Sequence, residues 1–221
     1  MNFLEIAKRV RQECGLSGDG PVNVAGQTGI YAKVVAWVQS AHEAIQRQSD
    51  AWNFDWAEHS QALTDGVESY APASDWGLAV KRVDGAGLYV YRTADGPRAK
   101  TWVPLIDWAQ FRNMRQVGLT GMPVYASMAP NRSIYFHPAP MAGLSLAMEY
   151  YREPQVLVNN TDIPRMPERY HMAIVWRAVM LWASHDEATV QYQAAERNYR
   201  AILGEMQLSE LPEFPETGAM V

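Results

Sequence analysis

Residues 172–183 read Met-Ala-Ile-Val-Trp-Arg-Ala-Val-Met-Leu-Trp-Ala, a twelve-residue run that is apolar on every side of a helix save for one arginine. A helix without a polar face has to be surrounded by protein or by lipid. Crossing a bilayer takes ~20 residues, so this segment predicts a helix enclosed by protein, with the rest of the chain packed around it. The other helical stretches are amphipathic. Residues 3–14 place Phe3, Ile6, Ala7, Val10 and Cys14 on one stripe, with Glu5, Lys8, Arg9 and Arg11 opposite. A second helix begins at Thr28, a good cap residue, and runs to about Ser49 with Ile30, Val34, Trp37, Val38, Ala41 and Ile45 inward. From Pro167 to Met206 the helical pattern is too long for one element, and Ser184–Asp186 marks a break. The closing helix carries Ala188, Tyr192, Ala195, Tyr199, Ile202 and Met206 on one face.

The middle of the chain reads differently. Trp52-Asn-Phe-Asp-Trp56 alternates as a half-buried strand does. Val80–Val83 and Leu88–Arg92 flank Asp84-Gly-Ala-Gly87 as a predicted hairpin, and Val124–Met128 pairs with Ser133–Phe136 as a second one. Thr101–Ile106 and Leu144–Arg152 read as strands, and Asp107 caps a short helix to Arg115. The fold class expected is therefore α+β: N- and C-terminal helices forming a helical bundle, with an inserted antiparallel β region at about 57–155. The domains expected are 1–56 plus 156–207 as helical core, 57–155 as β-rich insertion, and 208–221 as an extended C-terminal tail.

Composition removes several function classes. The net charge is −5, with fifteen arginines against four lysines, and an acidic chain is a poor general binder of duplex phosphates. The single cysteine, Cys14, leaves no intramolecular disulfide and no cysteine-rich metal site. At 221 residues the chain buries roughly 70% of its unfolded surface on folding and needs no staple. The opening residues lack a long apolar h-region, so cytoplasmic synthesis is expected. Eight tryptophans and eleven tyrosines suit either a large aromatic core or extensive subunit interfaces.

No catalytic motif survives inspection. His42-Glu43-Ala-Ile-Gln46 lacks the second histidine of a zinc-protease helix, and the polar face of helix two explains it. Glu168-Arg-Tyr-His171 occurs once, whereas a di-iron bundle needs two such units, so Glu168 is assigned to helix-start electrostatics. His171 and His185 stand ~20 Å apart along a straight helix, beyond the reach of one ion. Gly85-Ala-Gly87 lacks the third glycine of a dinucleotide fingerprint. No enzyme activity, cofactor or metal is expected.

Three stretches carry a resemblance. They are Phe3–Pro21 with Gly26-Gln-Thr-Gly29, Val34–Ile45 and Trp52-Asn-Phe-Asp-Trp56; Met148-Glu-Tyr-Tyr-Arg-Glu-Pro154 with Asp162-Ile-Pro-Arg-Met-Pro167; and Glu168–Val175 through the Tyr192–Leu203 helix. In their order the chain resembles the head–tail adaptor (connector) proteins of tailed bacteriophages. The resemblance implies a structural virion protein at the head–tail junction. It would form a ring, commonly of twelve copies, below the portal protein, extend the DNA channel and offer the platform on which the tail is built. Its partners would be portal, tail tube, nozzle or neck proteins, and further copies of itself. Genomic DNA would pass through the lumen without specific binding, and no membrane is involved. Alternatives are a tail-completion, neck or terminator protein at the next junction, or an intracellular ligand-binding protein.

The candidate interface residues are Arg165, Arg169, Leu208, Leu211, Phe214 and Val221. Arg165 and Arg169, one turn apart, either clamp a neighbour's carboxylate or stand solvated. The tail, with three glutamates and two prolines after Leu208, is either a disordered terminus or an extended strip whose apolar residues gain burial only against a partner.

Overall fold

The computed structural model describes residues 1–79, 81–82, 85–116 and 118–212. It is mixed helix and antiparallel sheet, an α+β chain, and divides into two compact units. One is Met1–Asp55 with the chain from Pro154 onward; the other is Trp56–Glu153.

The helical unit contains α1 (Phe3–Glu13), α2 (Gly29–Gln46), α4 (His171–His185) and α5 (Thr189–Glu210), while α3 (Trp108–Met114) belongs to the other unit. A reciprocal capping box starts α1: the Glu5 N–H donates to Asn2 Oδ1 and the Asn2 N–H to Glu5 Oε2, both at 2.9 Å. The apolar helix is α4, and it packs against α1, α2 and α5. No residue from His171 to Ala183 is exposed, so the enclosure expected from its composition is observed. Phe3, Ile6, Val10, Val34, Val38, Ala41, Ile45, Ile174 and Val175 form one core with it. The break after α4 is also present. Glu187 takes a left-handed backbone (φ 56°), and the Ala188 N–H closes back on Ala183 O at 2.8 Å.

Two helix ends depart from expectation. Helix α2 stops at Gln46, three residues early, because the chain turns to bury Trp52, whose indole N–H donates to Gln46 O at 3.0 Å. Trp52 is not on a strand: Asn53–Asp55 form a 3-10 turn, closed by Asp55 N–H on Trp52 O, and the strand begins at Trp56. At the other end α5 continues to Glu210, so residues 208–210 are helical and not an extended tail. Residues 213–221 lie outside the described residues.

In the second unit the strands in chain order are β1 (Trp56–Ala62), β2 (Ser69–Tyr70), β3 (Trp76–Ala79), β4 (Lys81–Arg82), β5 (Gly85–Ala86) and β6 (Leu88–Arg92), followed by β7 (Thr101–Trp102), β8 (Thr120–Gly121), β9 (Tyr125–Met128), β10 (Ile134–His137), β11 (Ala139–Pro140) and β12 (Leu144–Arg152). The main sheet runs β1-β12-β6-β7, with β3 also on β12. Strand β12 is its spine, antiparallel to β1 on one side and to β6 and β3 on the other. A smaller sheet, β2-β10-β9, contains the expected second hairpin. The first hairpin is not as expected: β5 folds onto β4, and β6 instead joins β12 and β7. The physical reason is that Leu88, Tyr89, Val90 and Tyr91 are all buried, the signature of an interior strand rather than a hairpin arm. Residues 83 and 84 of that turn lie outside the described residues. The strand expected over 101–106 shortens to two residues because Pro104 has no N–H to donate. Gly87 is needed at its position, since a Cβ there would stand 2.8 Å from Glu149 Cβ. Asp107 caps α3, accepting from the Ala109 and Gln110 N–H groups.

Candidate interface residues of the helical unit

The loop between β12 and α4 is fixed from both of its flanks. Gln46, buried on α2, uses its whole amide. Its Oε1 accepts from the Gln155 N–H at 2.7 Å and its Nε2 donates to Gln155 O at 3.0 Å. Gln39 holds Leu157 O at 2.9 Å, and the α1 N–H groups of Phe3 and Leu4 donate to Asp162 O and Asn160 O. Asp162 closes the loop internally, accepting from the Val158 and Asn159 N–H groups, and those bonds hold its carboxyl below the usual carboxylate range. On this fixed frame Val156, Val158 and Ile163 stand more than 60% exposed, while Leu157 between them is buried. Three branched aliphatics on a rigid loop cost little entropy to cover, which suits a protein contact.

Arg165 sits at the inner end of that loop. Its guanidinium Nε lies 2.9 Å from Asp55 Oδ1, and both side chains are buried or nearly so. Its own N–H donates to Gln155 Oε1 at 2.8 Å. The arginine is thus neither solvated nor presented outward; it joins the turn after Trp52 to the start of the aromatic helix. Arg169 is different. Its side chain is 61% exposed, and its guanidinium reaches Glu210 at 3.1 Å and Ser209 at 2.7 Å and lies 4.6 Å from the Tyr170 ring centroid. It holds the last turn of α5 while keeping donors at the surface. Leu208, on that same turn, is 91% exposed, whereas Leu211 packs partly against the helical core. The expectation that Leu211 gains burial only against a partner is therefore corrected. Phe214 and Val221 lie outside the described residues.

Two buried histidines border the same loop. His42 is 1% exposed, so its placement on a polar helix face is also corrected. The Gln46 amide N–H points at His42 Nδ1, 3.2 Å away. Since the Gln155 backbone fixes which end of that amide is nitrogen, Nδ1 has to act as the acceptor. Burial, then the charges of Arg165 and His171, push the His42 pKa down to about 4, against a smaller opposite pull from the Gln155 backbone. Burial lowers His171 too; its Nε2 meets Met166 O at 3.0 Å. Glu168, in the first turn, contacts the Met1 amine at 2.9 Å. The Cys14 thiol is pushed up to about 12 by burial, then by Asp186 and Glu13, which keeps it a core residue and not a nucleophile. Among the described residues no three His, Cys, Asp or Glu side chains are grouped to hold a metal ion. None of the helices there is long and apolar enough to cross a membrane. Sequence reasoning singled out Arg165 and Arg169, weighed His42 and Gln46 only as an incomplete metal motif on a polar face, and passed over Asp55. Their signal, polar residues beside the apolar positions Ala41, Ile45 and Trp52, is shared by many solvated sites.

The polar groups described above join segments of the helical unit to one another. A family model described as SU10 adaptor protein matches residues 1–216. The chain belongs to the SU10 adaptor protein family, and is thereby a bacteriophage adaptor and a structural component of the virion. No curated protein matches the sequence.

Proposed function

We propose that this protein is the head–tail adaptor of a tailed bacteriophage. In this reading twelve copies form a ring beneath the portal, prolong the DNA channel and carry the tail. The single observation that carries it is the family match along 1–216. The terminal helices serve as the bundle of the ring subunit, the strands between about 57 and 155 as its insertion, and the residues beyond α5 as a docking tail. The net charge of −5 suits a channel wall that DNA passes without sticking. The face that includes Arg169 and Leu208 contacts a neighbouring subunit or the portal, with Phe214 and Val221 as further anchors. Arg165 and Leu211 act from behind it, by holding the loop and the end of α5. Catalysis has no part in the role.

Deleting the gene from the phage and imaging the products tests this. Expected are DNA-filled heads without tails, free tails, and full rescue by a plasmid copy. Quantitative mass spectrometry of wild-type particles should find the protein equimolar with portal. Infectious, tailed particles from the deletion would overturn the adaptor reading, and a different ratio to portal would overturn the ring of twelve.

A further inference from the structure

Strand β1 forms one end of the main sheet and, among the described residues, pairs with β12 alone. Its register fixes which backbone groups face outward. The Leu63 N–H donates to Leu144 O at 2.9 Å just past the strand, and Ala62 stands opposite Ser145. In an antiparallel ladder the bonded pairs alternate. Ala57, His59 and Gln61 therefore turn their N–H and C=O groups toward β12, and Trp56, Glu58, Ser60 and Ala62 turn theirs away. Those four outward residues are also the four exposed residues of the strand. A seven-residue edge of this kind invites another strand. Natural edges are blunted by proline, charged side chains, a bulge or shortness, and of these β1 has only the single charge of Glu58. The opposite end of the sheet is blunted by shortness, as β7 has two residues.

The charge pattern indicates what would pair there. Glu58 lies directly opposite Glu149 across β1 and β12, a like-charge pairing that is unfavourable in a sheet. Lys100 approaches Glu149 at 3.4 Å from the far side. Glu58, Ser60, Tyr89, Tyr91, Lys100 and Glu149 share a cleft of about 380 Å³ on this face. Lys100 thus compensates Glu149, and a cation opposite Glu58 on an added strand would do the same for Glu58.

We infer that β1 is a docking edge. An extended segment of another virion protein adds to it as a further strand, hydrogen-bonding the outward groups of Glu58, Ser60 and Ala62 and placing a lysine or arginine against Glu58. The inference rests on the adaptor reading, because it needs an assembled particle to supply the segment.

Hydrogen–deuterium exchange of the full chain, free and in purified virions, tests it. The Glu58, Ser60 and Ala62 amides should exchange at least tenfold more slowly in the virion than in the free chain. Ser60→Pro removes an outward donor at an edge where proline is tolerated. It should melt as the parent does yet lower infectious titre a hundredfold or more, while Ser60→Ala keeps the titre. Glu58→Lys should also lower the titre, and it covers the case of a proline variant that fails to fold. Equal exchange in both states, or normal titres from Ser60→Pro and Glu58→Lys together, would overturn the inference. Protection that appears in the free chain as it dimerises on concentration would overturn it as well, by making the occupant a second copy. If the protein is missing from virions, the adaptor reading itself has failed; if it is present with an unprotected β1, only the docking edge has failed.

Discussion

Acidification should loosen the helical unit through His42, and the size of the effect follows from the structure. Burial, with Arg165 and His171 nearby, places the pKa of the folded imidazole at about 4, against 6.5 for the free side chain. The unfolded state therefore binds the proton more readily, and stability rises with pH between those values. The contribution is complete above pH 6.5 and is lost as pH falls through that window toward 4. Over the whole window the difference is about 3 kcal/mol, and between pH 7 and pH 5 about 2 kcal/mol. The contact points the same way as burial: a protonated Nδ1 would face the Gln46 amide N–H donor across 3.2 Å and lose its bond. Gln46 in turn fixes Gln155, and through it the loop that carries the exposed aliphatics. His42→Gln keeps an acceptor for Gln46 and cannot titrate. Urea unfolding at pH 5, 6 and 7, read by pulsed hydrogen exchange in peptides from α2 and α4, isolates the helical unit. The parent should lose about 2 kcal/mol more than the variant between pH 7 and pH 5. If both lose the same amount within about 0.5 kcal/mol, His42 is not held neutral and the argument is wrong.

The two arginines should separate cleanly. Arg165→Met takes the guanidinium from a buried carboxylate and should cost about 3–5 kcal/mol by chemical denaturation, whereas Arg169→Ala, at an exposed pair, should cost under about 1 kcal/mol. Comparable losses would refute the division into a holding and a presenting residue. Trp182→Ala should cost about 3–5 kcal/mol in the same assay, the usual penalty for emptying a buried aromatic site; a melting point within a degree or two of the parent would show that α4 is not enclosed. Ending the chain after Pro212 should leave melting unchanged and lower particle titre. Ending it after Gln207 should also cost about 1–2 kcal/mol, since it removes the Leu211 packing and the Glu210 partner of Arg169. Normal titre from the longer truncation product would leave Phe214 and Val221 without a role.

What was legible in the sequence was mostly what repeats with the period of a helix or a strand. The stripes of α1, α2 and α5 and the alternation of β12 are periodic; α4 was legible from its unbroken apolar run, and the break after it from Ser184–Asp186. They reappear at the expected places, except that Ile30 at the start of α2 stands exposed where the stripe put it inward. The misread segments lacked a period of their own and took their conformation from distant residues. Trp52-Asn-Phe-Asp-Trp56 looks like an alternating strand, yet the Trp52 indole bonds to Gln46 O and Asp55 meets Arg165, 110 positions away in sequence. Leu88–Arg92 looks like a hairpin arm, but burial of both its faces assigns it to the sheet interior. Arg165 and Arg169 have the same residue type one turn apart, and only their partners separate them.

Several polar groups of this aromatic- and arginine-rich chain are turned inward. His42 is held neutral by burial and faced by an amide donor, Cys14 is held protonated, and Arg165 is matched to Asp55 inside the fold. Each of these groups is committed to fixing one segment against another. Groups left to act outward are of other kinds: aliphatic side chains on the Gln155–Ile163 loop, the donors of Arg169, Leu208, and the backbone edge of β1. Such groups suit the recognition of surface and strand. Polar side chains that keep loops rigid reduce the entropy lost when those loops meet a partner. Rigidity inside and unsatisfied valence outside are what a protein needs when its work is to be built into something larger.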